Sequence, residues 1–228
     1  GRSTVVPYLR RFGGEVEWLI LSHPHADHVG GAASVLRALR PPHLLDAAFA
    51  GPSTAYRTVL TEAAQQGTIW HRARPGARLL VDGVELRTLA PDSAWTAGLT
   101  DPNLASTMVM ARFGGVRVLL TGDAEAAEEQ WVLAHGESLE ADVLKVAHHG
   151  SSTSSTPEFL ERVNPRVALV SVGIANSYGH PSSDVMAALV ARGATVLRTD
   201  QLGDIVLHTD GVTLMAEAAG SRWPIPRR

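Results

Sequence analysis

The chain has no cysteine, which removes disulfides, thiolate metal sites and sulfur nucleophiles together. Any metal must then sit on nitrogen and oxygen. Lysine is nearly as scarce: Lys145 is the only one, and arginine carries almost all the positive charge. Neither sign of charge is in excess, since 20 basic residues stand against 23 acidic ones, a formal net charge of −3. Such a balance argues against holding polyanions by bulk charge, so any contact with nucleic acid is local. No apolar run approaches the roughly 18 residues of a membrane span, and Gly1-Arg2-Ser3-Thr4 does not open a signal peptide. No membrane insertion is expected of this stretch, which also starts without an initiator methionine, as an excised or processed piece would. Repeats and linkers are missing as well; the serine and threonine run at 151–156 is too short to join two domains. The 228 residues, 45% hydrophobic, suffice for one sizeable core, and a single domain over 1–222 with a tail at 223–228 is expected.

What is present is concentrated in one stretch. Ser22-His23-Pro24-His25-Ala26-Asp27-His28-Val29-Gly30-Gly31 places three imidazoles and a carboxylate directly after the apolar run 18–21, which reads as a buried strand. Alternation sends His23 and His25 the same way as the chain leaves the sheet, and Asp27 and His28 follow where a turn can swing them to a second position. The stretch has the makings of two metal half-sites, and Gly30-Gly31 lets a helix start close by. Isolated histidines are a different matter. His43, His71, His135 and His208 stand alone and are read as ordinary surface or core residues.

Read in order, the chain alternates strands and helices. A short helix at 5–12 leads to the strand at 17–21; a helix at 32–39 stops at Pro41-Pro42; a strand at 43–49 precedes a helix opened by Gly51-Pro52-Ser53 and closed by Gly67. Strands at 68–72, 78–81 and 84–89 follow, the last two joined through Asp82-Gly83. Residues 91–103 read as a loop. A second hairpin, 107–113 and 116–120 around Gly114-Gly115, ends in Thr121-Gly122-Asp123, and a helix at 124–134 leads to a strand at 142–147. A helix at 157–163, a strand at 166–172, a helix at 181–192 and three short strands near Thr195, Ile205 and Val212 complete it. Hairpins beside strand-helix units imply a mixed sheet or two sheets with helices outside, an α/β (α+β) fold that an αββα sandwich fits.

Several strands end in ligand-type residues. Asp123 suits an N-cap for the helix after it, but a carboxylate beside a histidine cluster can also bridge two cations ~3.5–4 Å apart. His148 and His149 follow the strand at 142–147; adjacent residues at a strand end point opposite ways, so one is expected to ligate and the other to brace it, with His149 taken as the ligand. Lys145 is either an ordinary exposed lysine or a contact for an anionic substrate or a site carboxylate. Ser151 opens a hydroxyl-rich stretch in which Ser155-x-x-Glu158 fits a capping box and Thr156-Pro157 an N-cap; a helix start there would also suit a phosphate. His180, between Gly179 and Pro181, is a ligand, a general acid, a phosphate contact or a loop residue without a role.

Together, Thr-Val-Val-Pro-Tyr-Leu-Arg-Arg, Leu-Ser-His-Pro-His-Ala-Asp-His-Val-Gly-Gly, Leu-Leu-Thr-Gly-Asp, Leu-Lys-Val-Ala-His-His-Gly-Ser-Ser and Tyr-Gly-His-Pro-Ser resemble the C-terminal metallo-β-lactamase-like domain of the ComEC/Rec2 DNA-internalisation family of natural competence. The resemblance runs from Thr4 to about Met215. It implies a four-layer αββα sandwich in which His23, His25 and Asp123 hold one ion and Asp27, His28, Asp123 and His149 the other. No histidine lies between His71 and His135, where the wider superfamily places a further ligand, and Asn103 and Ser106 occupy that region, so the first ion is weakly held or completed by water. The family's first strands, with Asp-Val-Gly-Gln-Gly-Asp and Asp-Gly-Gly, are absent here, so the sheet lacks them. The resemblance implies a nuclease, with Mn²⁺ or Zn²⁺ as two divalent ions, that degrades DNA during uptake, the non-transported strand above all. Asp27 would orient water and His180 would donate to the phosphate or leaving oxygen, with Lys145 as a third catalytic contact and His148 and Ser151 behind the ligands. The partners would be DNA and the membrane channel portion of the same parent, and the place the outer face of the cytoplasmic membrane. The residues leave strand polarity, duplex against single strand, and oligomeric state open. A small-ester hydrolase (phosphodiester or lactone) and an inactive DNA- or partner-binding module are the rival readings.

Overall fold

Valine- and leucine-rich runs of three to seven residues become strands wherever a neighbour can cover both faces, and the longer amphipathic runs between them become helices. The computed structural model describes residues 1–49, 51–135 and 138–227, which cluster into two compact units: Gly1–Pro75 with Ala90–Thr107, and Gly76–Leu89 with Met108–Arg228.

In the first unit three parallel strands, β1 (Trp18–Ile20), β2 (His43–Asp46) and β3 (Ile69–Arg72), pair in sequence order, with Leu19 opposite Leu44 and Leu44 opposite Trp70. The helices are α1 (Val5–Arg10), the single turn α2 (Ala26–Val29), α3 (Ala32–Leu39), α4 (Thr54–Gln66) and α5 (Ser93–Thr96). Ser53 caps α4 by accepting the Tyr56 N–H, and Gly67 ends it in a left-handed residue, as Gly-Pro-Ser and Gly signalled. Leu21, Val29, Leu36, Leu44, Tyr56 and Val59 form the core. Because Leu21 and Val29 flank the histidine stretch and are buried, that loop is nailed down at both ends, at about 1.5–3 kcal/mol for each large apolar side chain buried. Residues 91–103, read as a loop, contain α5 and a 3₁₀ turn at Pro102–Ala105, each started by an aspartate, Asp92 or Asp101, whose carboxylate accepts backbone N–H groups.

In the second unit a seven-stranded sheet has the order β10 (Thr195–Arg198), β9 (Val167–Val170), β8 (Val143–Lys145), β7 (Val116–Leu120), β6 (Met108–Phe113), β5 (Val84–Ala90), β4 (Arg78–Val81). The four strands from β7 to β10 run parallel; β6 pairs antiparallel with β7, and β4 with β5. A separate antiparallel sheet holds β11 (Ile205–Thr209), β12 (Leu214–Ala218) and β13 (Ser221–Pro224). The helices are α6 (Ala126–His135), α7 (Pro157–Val163), α8 (Ser183–Ala191) and α9 (Thr199–Leu202). The expected strand near Val212 lies later: Val212 is in the turn held by the Asp210 carboxylate, and β12 begins at Leu214. The expected tail is also structured at its start. Trp223 belongs to β13, Ile225 is buried, and Arg166 donates to the carbonyls of Ile225 and Pro226; Arg228 lies outside the described residues. No helix among the described residues is long and apolar enough to cross a membrane.

Candidate functional site

In open parallel sheets, ligands gather at the carboxyl ends of strands, where chains leave the hydrogen-bonded ladder and side chains can converge. Each unit presents such an end. In the first, Leu21 still bonds to the Leu45 carbonyl at 2.9 Å, and the Ser22 carbonyl accepts the Thr107 N–H at 2.8 Å. That bond ties the 103–106 segment to the histidine motif, with Asn103 and Ser106 both buried. Ser22 Oγ lies 3.2 Å from His23 Nδ1 and 3.0 Å from His28 Nδ1, so one hydroxyl orients two rings and leaves their Nε2 atoms to face elsewhere. His23 Nε2 is 3.0 Å from His25 Nδ1. The turn α2, begun at His25, then brings Asp27 Oδ2 within 3.4 Å of His28 Nε2.

These spacings test whether an ion fits. Ligand atoms held about 2.0–2.2 Å from one cation lie roughly 3–3.5 Å from each other, and both the His23–His25 and Asp27–His28 pairs have that separation. The nitrogen and oxygen donors also suit a borderline divalent ion. Asp46, which the sequence reading passed over, ends β2 as a buried carboxylate accepting from Tyr56 Oη at 2.8 Å, Ala48 N at 2.7 Å and Trp70 Nε1 at 3.2 Å. Burial holds it above the ordinary aspartate range against those three donors, and it lines a small cavity with His23. A lone carboxylate at a strand end was the available signal.

In the second unit Asp123, His148, His149 and His180 follow the adjacent parallel strands β7, β8 and β9. Thr121 Oγ1 donates to the Lys145 carbonyl at 2.6 Å, locking the ends of β7 and β8 together. Asp123 is 2% exposed. The expectation that His148 and His149 point opposite ways fails for a backbone reason: the strand stops at Lys145, and both residues are left-handed, with φ of 47° and 55°. That conformation costs about 1–2 kcal/mol per non-glycine residue. Bonds from His148 N to the Gly122 carbonyl (3.2 Å) and from Ser151 N to the His148 carbonyl (2.8 Å) hold it. Both rings therefore turn to one carboxylate: His149 Nε2 is 3.5 Å and His148 Nε2 4.0 Å from Asp123 Oδ2. His149 Nδ1 donates to the Ser171 carbonyl at 2.7 Å, which orients the ring so that Nε2 is the nitrogen turned to Asp123. His148 Nδ1 instead faces Glu125 at 3.3 Å and Thr153 Oγ1 at 3.4 Å, and Thr153 is held by Ser151 Oγ at 3.0 Å.

Lys145 is half-buried and its Nζ donates to the Val146 carbonyl at 2.8 Å; burial pulls its ammonium below the usual lysine range, opposed by the Asp123 charge. The exposed-lysine reading is thereby replaced. His180 lies 5.6 Å, ring to ring, from His148; burial first, then the neighbouring His148 and His149, push it below the usual histidine range, against Asp123. The capping box at Ser155 and Glu158 is not made. Thr156 caps α7 by accepting the Phe159 N–H, and the Ser155 and Thr156 N–H groups donate to buried Glu129 at 2.6 and 2.8 Å. A phosphate at that helix start would meet a carboxylate already in place. The isolated histidines are occupied elsewhere: His43 with His71 and Trp18, His135 with Trp131, and His208 with Glu217.

The family model of the metallo-beta-lactamase superfamily matches residues 4–174, and the chain belongs to that superfamily, with mixed α/β content and sheets flanked by helices. More narrowly, it is 32% identical over 206 residues to ComE operon protein 3 of Bacillus subtilis, covering 90% of this chain and 26% of that protein. It is 34% identical over 204 residues to Competence protein ComA of Neisseria gonorrhoeae, covering 89% and 27%. The chain thus spans about a quarter of the length of these curated relatives. Among solved structures, CmlA, a diiron β-hydroxylase from Streptomyces venezuelae, superposes with a TM-score of 0.55 over 81% of this chain and 44% of that one at 15% identity. That likeness speaks to the fold.

Proposed function

We propose that residues 1–222 act as one metal-dependent phosphodiesterase domain that degrades DNA, the non-transported strand above all, during uptake. It would be a part of a larger protein whose membrane channel portion lies beside it at the outer face of the cytoplasmic membrane. The observation that carries the metal-dependent reading is His149, pinned through Nδ1 to Ser171 so that Nε2 faces Asp123. DNA as the substrate rests on the relatives named for competence and on the narrow motifs around His149 and His180.

In this reading Asp27, His28, Asp123 and His149 hold one ion, and His23, His25 and Asp123 the other, with Mn²⁺ or Zn²⁺ as the native metal. When bound, such ions supply electrophilic charge to phosphoryl oxygens and make a water acidic enough to attack near neutral pH. The chain's own residues do the rest. Ser22 keeps His23 and His28 in one orientation, exposed Asp27 orients the attacking water, and His180 donates to a phosphate oxygen. Lys145, whose charged form the Asp123 carboxylate favours, adds positive charge near that carboxylate, and His148 braces it. Purified protein given Mn²⁺ or Zn²⁺ should hydrolyse single-stranded or duplex DNA. Turnover confined to a small phosphodiester would replace the DNA reading with the small-ester one.

A further inference from the structure

The loop between β9 and α8 turns its large apolar side chains to water. Ile174 is 86% and Tyr178 82% exposed, so neither contributes appreciably to the packing. The loop is nevertheless held in shape. Asn176 Nδ2 donates to the His180 carbonyl at 2.8 Å and the Gly173 carbonyl at 3.2 Å, and Asn176 Oδ1 accepts the His180 N–H at 3.1 Å. At its base Val172 N donates to Thr199 Oγ1 at 2.8 Å, and that hydroxyl donates back to the Val172 carbonyl at 2.9 Å. The exposure is therefore built into a braced loop. The Tyr178 ring lies 14° from parallel to the His180 imidazole, 6.1 Å between centroids, and His180 continues the row to His148.

Such a row, with an open aromatic face at one end and His180, the proposed phosphate contact, next to it, matches a ligand that carries a planar apolar group adjoining a phosphate. A protein partner would need a far broader patch than two side chains. A lipid surface would call for a continuous apolar face, and Ile174 and Tyr178 are the only large apolar side chains in 173–180. A nucleobase meets both demands, and any base can stack because each has a π face. We infer that Tyr178 is a stacking shelf for an unpaired nucleobase adjoining the phosphate served by His180, which makes the substrate a polynucleotide that is single-stranded where it meets this loop. The phosphate and the choice of a nucleobase rest on the phosphodiesterase reading above; the exposed ring on a braced loop does not.

The test compares a labelled single-stranded oligothymidylate with an abasic oligonucleotide of the same length. The wild type with Mn²⁺ should prefer the base-bearing strand about 5- to 150-fold in kcat/KM, chiefly through KM. Tyr178→Ala should bring that preference towards one, and Tyr178→Phe should keep it. A preference that survives Tyr178→Ala, or one absent from the wild type, overturns the shelf. If the wild type cuts neither strand, the nuclease reading fails by itself and the shelf is judged by fluorescence anisotropy in EDTA. Tighter wild-type binding of the base-bearing strand, lost in Tyr178→Ala and retained in Tyr178→Phe, supports it; equal binding of both strands overturns it.

Discussion

At His180 two roles make separable demands. A metal ligand must give up a nitrogen lone pair to the ion, whereas a substrate contact must keep an N–H aimed at oxygen. His149 already supplies the imidazole facing Asp123, and Asn176 fixes the His180 backbone from the solvent side. His180→Ala is therefore expected to keep its bound Mn²⁺ or Zn²⁺, measured by elemental analysis, while losing about 10²–10⁴-fold in rate. Loss of metal together with rate would make it a ligand, and full metal with an unchanged rate would leave it no role. Residues of this kind differ in how visible they are beforehand. The clustering of the histidines at 23, 25 and 28 is legible because it is local, a dense run after an apolar strand. The aim of His148 and His149 is not, because it depends on two left-handed backbones held by the His148 N–H bond to the Gly122 carbonyl and by a bond within the turn itself. Gly150 shows the same limit: with φ of +83° and a would-be Cβ 2.6 Å from Pro181 Cβ, it must be glycine for a reason that only the His180 segment supplies.

Elements show a similar division. Asp82-Gly83 and Gly114-Gly115 mark hairpins that form with Val81 opposite Val84 and Phe113 opposite Val116, since turn chemistry is a two-residue signal. The short α5, the 3₁₀ turn at Pro102–Ala105 and β13 are too brief to carry a period; they exist through aspartate caps and through pairing with β12. The link between α6 and the loop before α7 is of the same hidden type. Glu129 is fully buried and accepts two backbone N–H groups with its two oxygens. Glu129→Gln replaces one acceptor by a donor that faces an amide N–H, leaving a buried group unmatched at a cost of about 1–3 kcal/mol. For a chain of this size that is a fall in Tm of roughly 2–12 °C, read by scanning calorimetry. An unchanged Tm would show that water replaces the lost bond.

On the scale of the whole molecule, the proposed ligands Asp27, His28, Asp123 and His149 are spread widely along the sequence. If the proposed ligands hold an ion, saturating metal should stabilise the fold by mass action, about 2.7 kcal/mol at a hundredfold excess over Kd. The Tm should rise by roughly 5–11 °C on adding Mn²⁺ or Zn²⁺, return with EDTA, and respond little in His149→Ala. A Tm indifferent to either metal would remove the site. The fold class was legible at this scale because strand-helix alternation and hairpins coexist in one chain. The division into two units was not, because it depends on where residues 76–107 return to each cluster and no composition shift marks those points.

If the ligand is a polynucleotide, every step of its backbone offers the same charge, and a second pocket for phosphate one loop away from His149 would hold the strand as readily in the wrong register as in the right one. Glu129 removes that competitor from inside. Its carboxyl group fills the amide cradle ahead of α7, so those two N–H groups are not on offer to a phosphate.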